Sequence, residues 1–546
     1  MGQALNGGER YARYRAPIGD GQKLILPPPE QWPAYVEGAR ERLAGASLNV
    51  VGQPLARWAQ SARREVLSRS AAYAGVSWGD APSDAELQHA VERPLIVTGH
   101  QSELFHPGVW LKNFVADQMA RSCGGAALNL IIDGDLCRRS SIDVPGGSVD
   151  QPRTTVVPFD AEQKSIPWEQ RRVVERALWR SFPQRVLDAG RPLIAAPLLL
   201  EWWQVVEQHE AATARIGSAF AQARRRLEVR WGLRNWELPQ SELCQTKAFR
   251  QFLLHILGEL PRFVAAYNGA LAEYRIVHRL RNRAQPAPDL DADGKWIEAP
   301  FWMWTAEDPR RRALFIRLAS PAVELADKSG WTGRLDLDDE SSALADLARW
   351  ESRGVKIRSR ALTTTLFARL AFADVFIHGI GGAKYDQATE EIARRFWGCQ
   401  LPPPAVVSGT LHMPIDHAAA DLGEPSRIRR RLRDLQFHGE TLLAAHAAEL
   451  SSRASRAAEA ANKKLAAIRT PKTREIAAQR HALIAAANRT LYDCLAPVQQ
   501  RLLAQLETEI ARDRSVRILD GREYPFCLFP EVVLRGFLLD NPAPPA

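Results

Sequence analysis

Two short apolar runs, each stopping dead at a glycine- and histidine-bearing turn, constrain this chain more than any other feature. Arg93-Pro94 introduces Leu95-Ile96-Val97, which ends in Thr98-Gly99-His100-Gln101. Far along the chain Val375-Phe376-Ile377 runs into His378-Gly379-Ile380-Gly381-Gly382-Ala383-Lys384-Tyr385-Asp386. An apolar run this short, bounded by turn residues, reads as a strand buried on both faces. After the first run, Pro107–Val115 has a helical pattern with proline in its favoured first turn, followed by a strand at Asn129–Ile132 and the acidic turn Asp133-Gly134-Asp135. Strand, turn, helix and strand open a βαβ unit, whose ligands gather at the carboxyl ends of the strands. The expected fold class is therefore α/β, with a Rossmann-like parallel-sheet core.

The stretch between the two runs divides that core. Residues 1–90 read as an irregular lead with short helices, broken early by Pro27-Pro28-Pro29, and 91–159 as the first part of the core. Residues 160–345 read as a mainly helical, Arg-rich insertion with a β-hairpin near 297–318, and 346–425 as the second part of the core. Residues 426–514 are rich in Ala, Arg and Leu. Leu435, Leu442, Leu450, Ile476, Leu483, Leu491, Leu495 and Leu502 recur at helical spacing, and Thr470-Pro471 interrupts them. That pattern predicts a long antiparallel helical hairpin, or coiled coil, with a kink at Pro497 and a homodimer formed through its leucines. Residues 515–546 read as a C-terminal extension packing on the core.

Composition excludes several classes. With 46% hydrophobic and 25% charged residues the chain is ordinary globular protein. Its six cysteines include no C-x-x-C pair, which argues against a zinc ribbon or a disulfide scaffold and fits a reducing cytoplasm. The first residues lack a signal-peptide core, and no apolar run spans a bilayer, so no membrane partner is expected. Histidines show no paired helical spacing, and no metal is expected. A net charge of +9 permits an acidic ligand.

Chemistry concentrates at the two turns. Gly99 and Gly108 let backbone amides approach a ligand, and Lys112 lies one turn into the helix, in reach of a phosphate or carboxylate. His100, His106 and His378 transfer protons near neutral pH. The first turn thus offers Thr98, Gly99, His100, Gln101, His106, Gly108 and Lys112. The second offers His378, Gly379, Gly381, Gly382, Lys384, Tyr385 and Asp386, with Asp386 expected to cap a helix at Gln387–Trp397. Asp133 or Asp135 suits a sugar hydroxyl, and Trp302 and Trp304 suit an aromatic wall, although core packing explains tryptophan better.

At these motifs the chain resembles the bacillithiol biosynthesis cysteine-adding enzymes, a cysteine ligase family. That family carries Thr-Gly-Gln-Gln after its strand, where this chain has Thr98-Gly99-His100-Gln101. It has an acidic segment after the next strand, like Asp133-Gly134-Asp135, and a Gly-Gly-Pro-Gly-type turn, similar to His378-Gly379-Ile380-Gly381-Gly382. Histidine replaces glutamine at position 100, the second turn lacks proline, and Lys384-Tyr385-Asp386 departs from the family pattern. The resemblance implies a ligase or transferase joining an amino acid, cysteine in that family, to a small amino-bearing, sugar-like acceptor, with ATP or another nucleotide nearby. In that scheme His100 or His378 is the general base and Lys384 stabilises an oxyanion. A nucleotidyl-transferase-like adenylating enzyme is an alternative. A nucleic-acid-binding or scaffolding protein acting through the basic arm is another, disfavoured because Glu440, Glu449 and Glu459 interrupt the arm's positive charge.

Overall fold

Leu95-Ile96-Val97 is the middle of a six-stranded sheet in the computed structural model, which describes residues 12–44, 48–50, 52–78, 81–164, 166–319, 321–417, 424–471, 473 and 475–540. Chain order gives β1 (Lys23–Leu26), β2 (Leu95–Gln101), β3 (Ala126–Ile132), β4 (Trp236–Pro239), β5 (Trp296–Trp304), β6 (Arg312–Ala319), β7 (Ala322–Ala326), β8 (Thr332–Asp336), β9 (Lys356–Ser359), β10 (Val375–His378) and β11 (Ala405–Gly409). The first sheet runs β1-β11-β10-β2-β3-β4. Five of its six members, β11 to β4, are parallel, and β1 closes one edge antiparallel to β11. The two apolar runs are immediate neighbours, with Val375, Phe376 and Ile377 opposite Ile96, Val97 and Thr98. From β2 the chain builds outward through β3 and β4, then returns to lay β10 and β11 on the other side of β2. The order therefore reverses between β2 and β10.

Residues 160–345 are less of an insertion than their helical pattern suggests. Trp236-Glu237-Leu238-Pro239 supplies β4 to the parallel sheet, a strand hidden by its brevity and its proline. The expected hairpin belongs to a second, antiparallel sheet ordered β8-β7-β6-β5-β9. Val355–Ile357, read as the resumption of the parallel core, instead places β9 beside β5 in that second sheet. In the lead, Leu24 and Ile25 form part of β1, and the expected short helices at Trp32–Ala44 and Asp84–Glu92 flank a 24-residue one.

The helices that matter below are α1 (Leu55–Trp78), α2 (Pro107–Ser122), α3 (Leu199–Thr213), α4 (Ile216–Arg230), α5 (Lys247–Gly258), α6 (Ala361–Ala371), α7 (Ile380–Trp397), α8 (Glu424–His438), α9 (Ala454–Arg469), α10 (Ala477–Cys494), α11 (Ala496–Leu519) and α12 (Glu531–Leu539). Alternation along a strand separates the two faces of the parallel sheet. Val97, Leu128, Leu130 and Phe376 join the main core with Trp58 of α1, Phe249 and Phe252 of α5 and Phe367 of α6. Thr98, His100, Asn129 and Ile131 point to the other face. The C-terminal segment returns as the packed extension expected, with a 3-10 turn at Phe526–Leu528 followed by α12.

The chain has two units, Met1–Val144 with Thr155–Pro414 and Arg522–Ala546, and Pro145–Thr154 with Ile415–Gly521. The second holds α8 to α11 around a small core that includes Ile428, Leu435, Leu450, Leu491, Leu495 and Leu502. Four helices thus replace the two long ones expected. Short turns from Gly439 to Arg453 break the first arm. Pro497 lies in the first turn of α11, where its missing N–H costs nothing, so it starts a helix instead of kinking one. Because these leucines pack on each other, they no longer require a partner chain; of the eight, Leu483 is exposed. Among the described residues, no helix is long and apolar enough to cross a membrane.

Candidate functional site

The first turn opens a narrow cleft at the carboxyl ends of β2 and β3. His100, Ser102, Ile131, Phe105, Phe526, Trp202, Phe220 and Arg224 line it, together with Gln101 and the exposed Glu103. His100 is almost wholly buried, its ring edge-on to Phe105 at 4.4 Å between centroids. Its Nδ1 lies 3.0 Å from the Gln101 carbonyl oxygen. A carbonyl only accepts, so the proton belongs on Nδ1 and Nε2 carries a lone pair. By strict geometry that Nε2, Oδ1 of neighbouring Asn113, the Ser102 hydroxyl and Trp202 Nε1 have no hydrogen-bond partner among the described residues, although Asn113 lies close enough to His100 to favour its charged form. Asn113 cannot turn to help, because its amide nitrogen donates to Glu228 at 2.7 Å. Two buried acceptors, His100 Nε2 and Asn113 Oδ1, are therefore left without a donor. Becoming imidazolium would satisfy both, but burial, Arg224 and Lys112 hold the His100 pKa well below its ordinary value.

At the cleft, Arg224 bridges Glu228 at 2.6 Å and Glu237 at 2.5 Å, all three buried. Asn129 donates to Glu237, and Trp110 to Glu228. Burial raises the Glu237 carboxyl, with Arg224 opposing. Arg224 is thus compensated; Lys112 is not. Its ammonium donates to the Gly99 carbonyl at 2.6 Å, burial lowers its pKa to about 8, and among the described residues no carboxylate pairs with it. It does not extend from the helix toward a distant phosphate as its position suggested, but it leaves uncompensated positive charge at this edge.

Several first-turn residues are structural. The Thr98 hydroxyl donates to the Ile377 carbonyl and ties β2 to β10. His106 is the N-cap of α2, its Nδ1 accepting from Gly108 N at 3.1 Å. Its Nε2 lies 3.5 Å from Glu523, and burial lowers its pKa. A Cβ at Gly108 would stand 2.1 Å from the Gly409 carbonyl oxygen, so this glycine permits a chain crossing.

The acidic turn divides in two. Asp133 is buried and accepts from the Ser241 amide at 2.9 Å and hydroxyl at 2.5 Å. Burial and the charge of Glu169 push its pKa up to about 7. Asp135, partly exposed, accepts from Gln101 Nε2 at 3.2 Å and Arg311 at 2.7 Å. Arg311 and Arg360 lie on the two neighbouring guanidinium contacts of Trp302, 4.5 and 3.9 Å from its ring. Trp302 therefore stacks two arginines near Asp135 rather than lining the cleft, whereas Trp304 is buried in the core. Glu103, in the cleft lining, has its carboxyl raised by surrounding protein and then by Asp135.

The second turn is a different object. Its helix begins at Ile380, not Gln387, with Gly379 as N-cap, so Gly381 and Gly382 lie in the first helical turn. Asp386 is not a cap. It is buried, bonded to Arg369 and 3.1 Å from His378 Nε2. Burial alone raises its carboxyl, but the charges of Arg369 and His378 outweigh this and hold it below the ordinary value. The Thr389 hydroxyl, without another partner, lies against Asp386, a donor beside an acceptor. Gly382 is filled by the His378 ring, while Gly381 meets open space. Lys384 and Tyr385 are exposed. His378 stacks on Phe376 at 4.6 Å, on the opposite face of the sheet from His100. The basic side chains of the two turns, His100, His106 and Lys112 at the first and His378 and Lys384 at the second, do not converge on one pocket.

Sequence reasoning missed Ser102, Trp202, Phe220, Arg224, Arg311 and Phe526. The spacing of Arg224 and Glu228 signalled an ion pair on a helix, but nothing local marked it as buried. No protein-family model and no curated protein matches this chain.

Proposed function

We propose that this chain is an enzyme of the ligase or transferase type, acting on a small amino-bearing molecule at the carboxyl ends of β2 and β3. The carrying observation is the pair of buried acceptors, His100 Nε2 and Asn113 Oδ1, left without a donor beside a cleft. A ligand amine supplies that donor, and the uncompensated ammonium of Lys112 suits a carboxylate or phosphate on the same ligand. An amino acid or an amino-sugar phosphate has both. In this scheme the amine attacks the carbonyl of an already activated acyl donor, and the new C–N bond replaces the donor's bond to its leaving group. His100, kept neutral, accepts the amine proton, and Glu103 protonates the departing group. The strand order, which reverses beside β2, supports a Rossmann-like reading, since such sheets bind ligands beyond their carboxyl ends.

The residues present do not fit a nucleotide bound in the usual way. At α2 the Gly108 amide is already taken by His106, and the Gly409 carbonyl fills the space where a pyrophosphate would approach. Asp133, held by Ser241, is not free for a ribose; Asp135 is the better placed. No step is derived through ATP, and adenylate chemistry is disfavoured on the same ground. Self-association is part of the proposal only through exposed Leu465, Ile468 and Leu483 in the second unit.

Thermal stabilisation by amino acids, amino sugars, sugar phosphates and nucleotides tests the reading. A compound bearing both an amine and an anionic group, at about one hundred times its Kd, should stabilise the protein by about 2.7 kcal/mol. His100→Ala should abolish most of that gain. A response confined to nucleotides, or one that survives His100→Ala, would overturn the proposal.

A further inference from the structure

The arm's acidic residues argued in sequence against nucleic acid, but the structure shows where their charge goes. Glu440 is bonded to Lys464, Glu459 to Lys463, Asp513 to Arg517 and Glu424 to Arg427. None of these acids pairs with Arg429, Arg430, Arg431 or Arg433, which are all exposed on α8 and have no ion-pair partner among the described residues. Residues 415–521 carry eighteen basic against thirteen acidic residues, so this unit holds more than half of the chain's net +9.

The placement of these arginines is specific. Arg429, Arg433 and Phe437 are spaced i, i+4 and i+8, forming one row along the helix with successive members about 6 Å apart. Arg430 flanks the row. The core residues Ile428 and Leu435 lie on the opposite side of α8, so the row faces away from the helices it packs on. Phe437 is 46% exposed at the end of this basic row, where no packing requirement accounts for it.

We propose that the outer face of α8 binds single-stranded nucleic acid. Guanidiniums spaced about 6 Å apart match the separation of successive phosphates, and an exposed aromatic ring offers a base a stacking surface. This combination of a basic track and an aromatic platform serves sequence-tolerant single-strand binding. A phosphate track alone would suit any polyanion; Phe437 selects the single strand. The inference is independent of the small-molecule cleft.

Fluorescence anisotropy of the full chain with a labelled 20-nucleotide oligothymidine, across a salt series, tests it. Binding should weaken steeply with salt. The triple variant Arg429→Gln, Arg430→Gln, Arg433→Gln should flatten the log–log slope by about 2, at about 0.7 per lost phosphate contact on a single strand. Phe437→Ala should weaken the oligothymidine about tenfold while leaving duplex binding almost unchanged. All four positions are exposed, so the variants should melt as wild type does. Overturning results are no oligonucleotide binding at low salt, a triple variant that binds like wild type, or binding to phosphatidylserine vesicles with none to oligothymidine.

Discussion

The two glycine turns look alike as sequence and differ as chemistry. At Thr98–Gly108 the buried polar atoms confront one another acceptor to acceptor, beside a cleft. At His378–Asp386 they meet donor to acceptor and cation to anion, and the helix closes over them. The first turn leaves its unpaired atoms beside a cleft; at the second, His378 Nε2, Asp386 Oδ1 and the Thr389 hydroxyl are also unbonded by strict geometry, but they face one another as donors and acceptors away from that cleft. Glycine and histidine near a strand end therefore do not define a site. What defines it is whether the polar atoms there can be paired from within the protein.

The largest effect expected from this contrast is at the second turn. Arg369→Met leaves Asp386 buried beside His378 alone, and should cost about 3–5 kcal/mol in urea denaturation. Ligand stabilisation should persist at temperatures where the variant stays folded; losing it there would make the second turn part of the site. Gly108→Ala should come next, at about 1–3 kcal/mol, because its Cβ meets a backbone carbonyl that cannot swing aside.

A third prediction concerns pH. The ordinary carboxyl value is 3.8, and Asp133 is raised to about 7. The folded state then holds a proton that the unfolded state has lost, so stability falls as pH rises from about 4 to about 7 and levels off above. Asp133→Asn keeps an oxygen to accept from the Ser241 amide, turns its NH2 toward the Ser241 hydroxyl oxygen, and does not ionise. Its urea midpoint should gain on wild type across that window, and a constant difference would contradict the assignment. The smallest effects belong to the open part of the second turn. Gly381→Ala should stabilise by no more than about 1 kcal/mol, and Lys384→Ala should change stability by less than about 0.5 kcal/mol. A lost ligand response in either would break the contrast between the turns.

Much of the fold was legible because apolar periodicity reports burial directly. The runs at Leu95 and Val375 marked adjacent parallel strands despite their separation in the chain. Trp236–Pro239 escaped because four residues carry too little pattern to outweigh the helices around them. The leucines of 426–514 correctly announced helices, but periodicity does not say whether a stripe packs on its own chain or on another. At the site, His100 and Gln101 were legible from their place after a strand. Arg224, Trp202 and Phe526 were not, since they arrive from distant helices and the C-terminal segment. The assignment of Lys384 failed for a simpler reason: a lysine one turn into a helix points wherever the helix begins, and the helix began seven residues earlier than Asp386 suggested.

The most direct test follows the ring resonances of His100 and His378 in histidine-labelled protein, assigned with His100→Gln and His378→Gln, during titration with the amino compound that stabilises the fold. If the ligand amine donates to His100 Nε2, the His100 signals should shift in proportion to occupancy while those of His378 stay fixed. Movement of His378 with His100 unchanged would contradict the account.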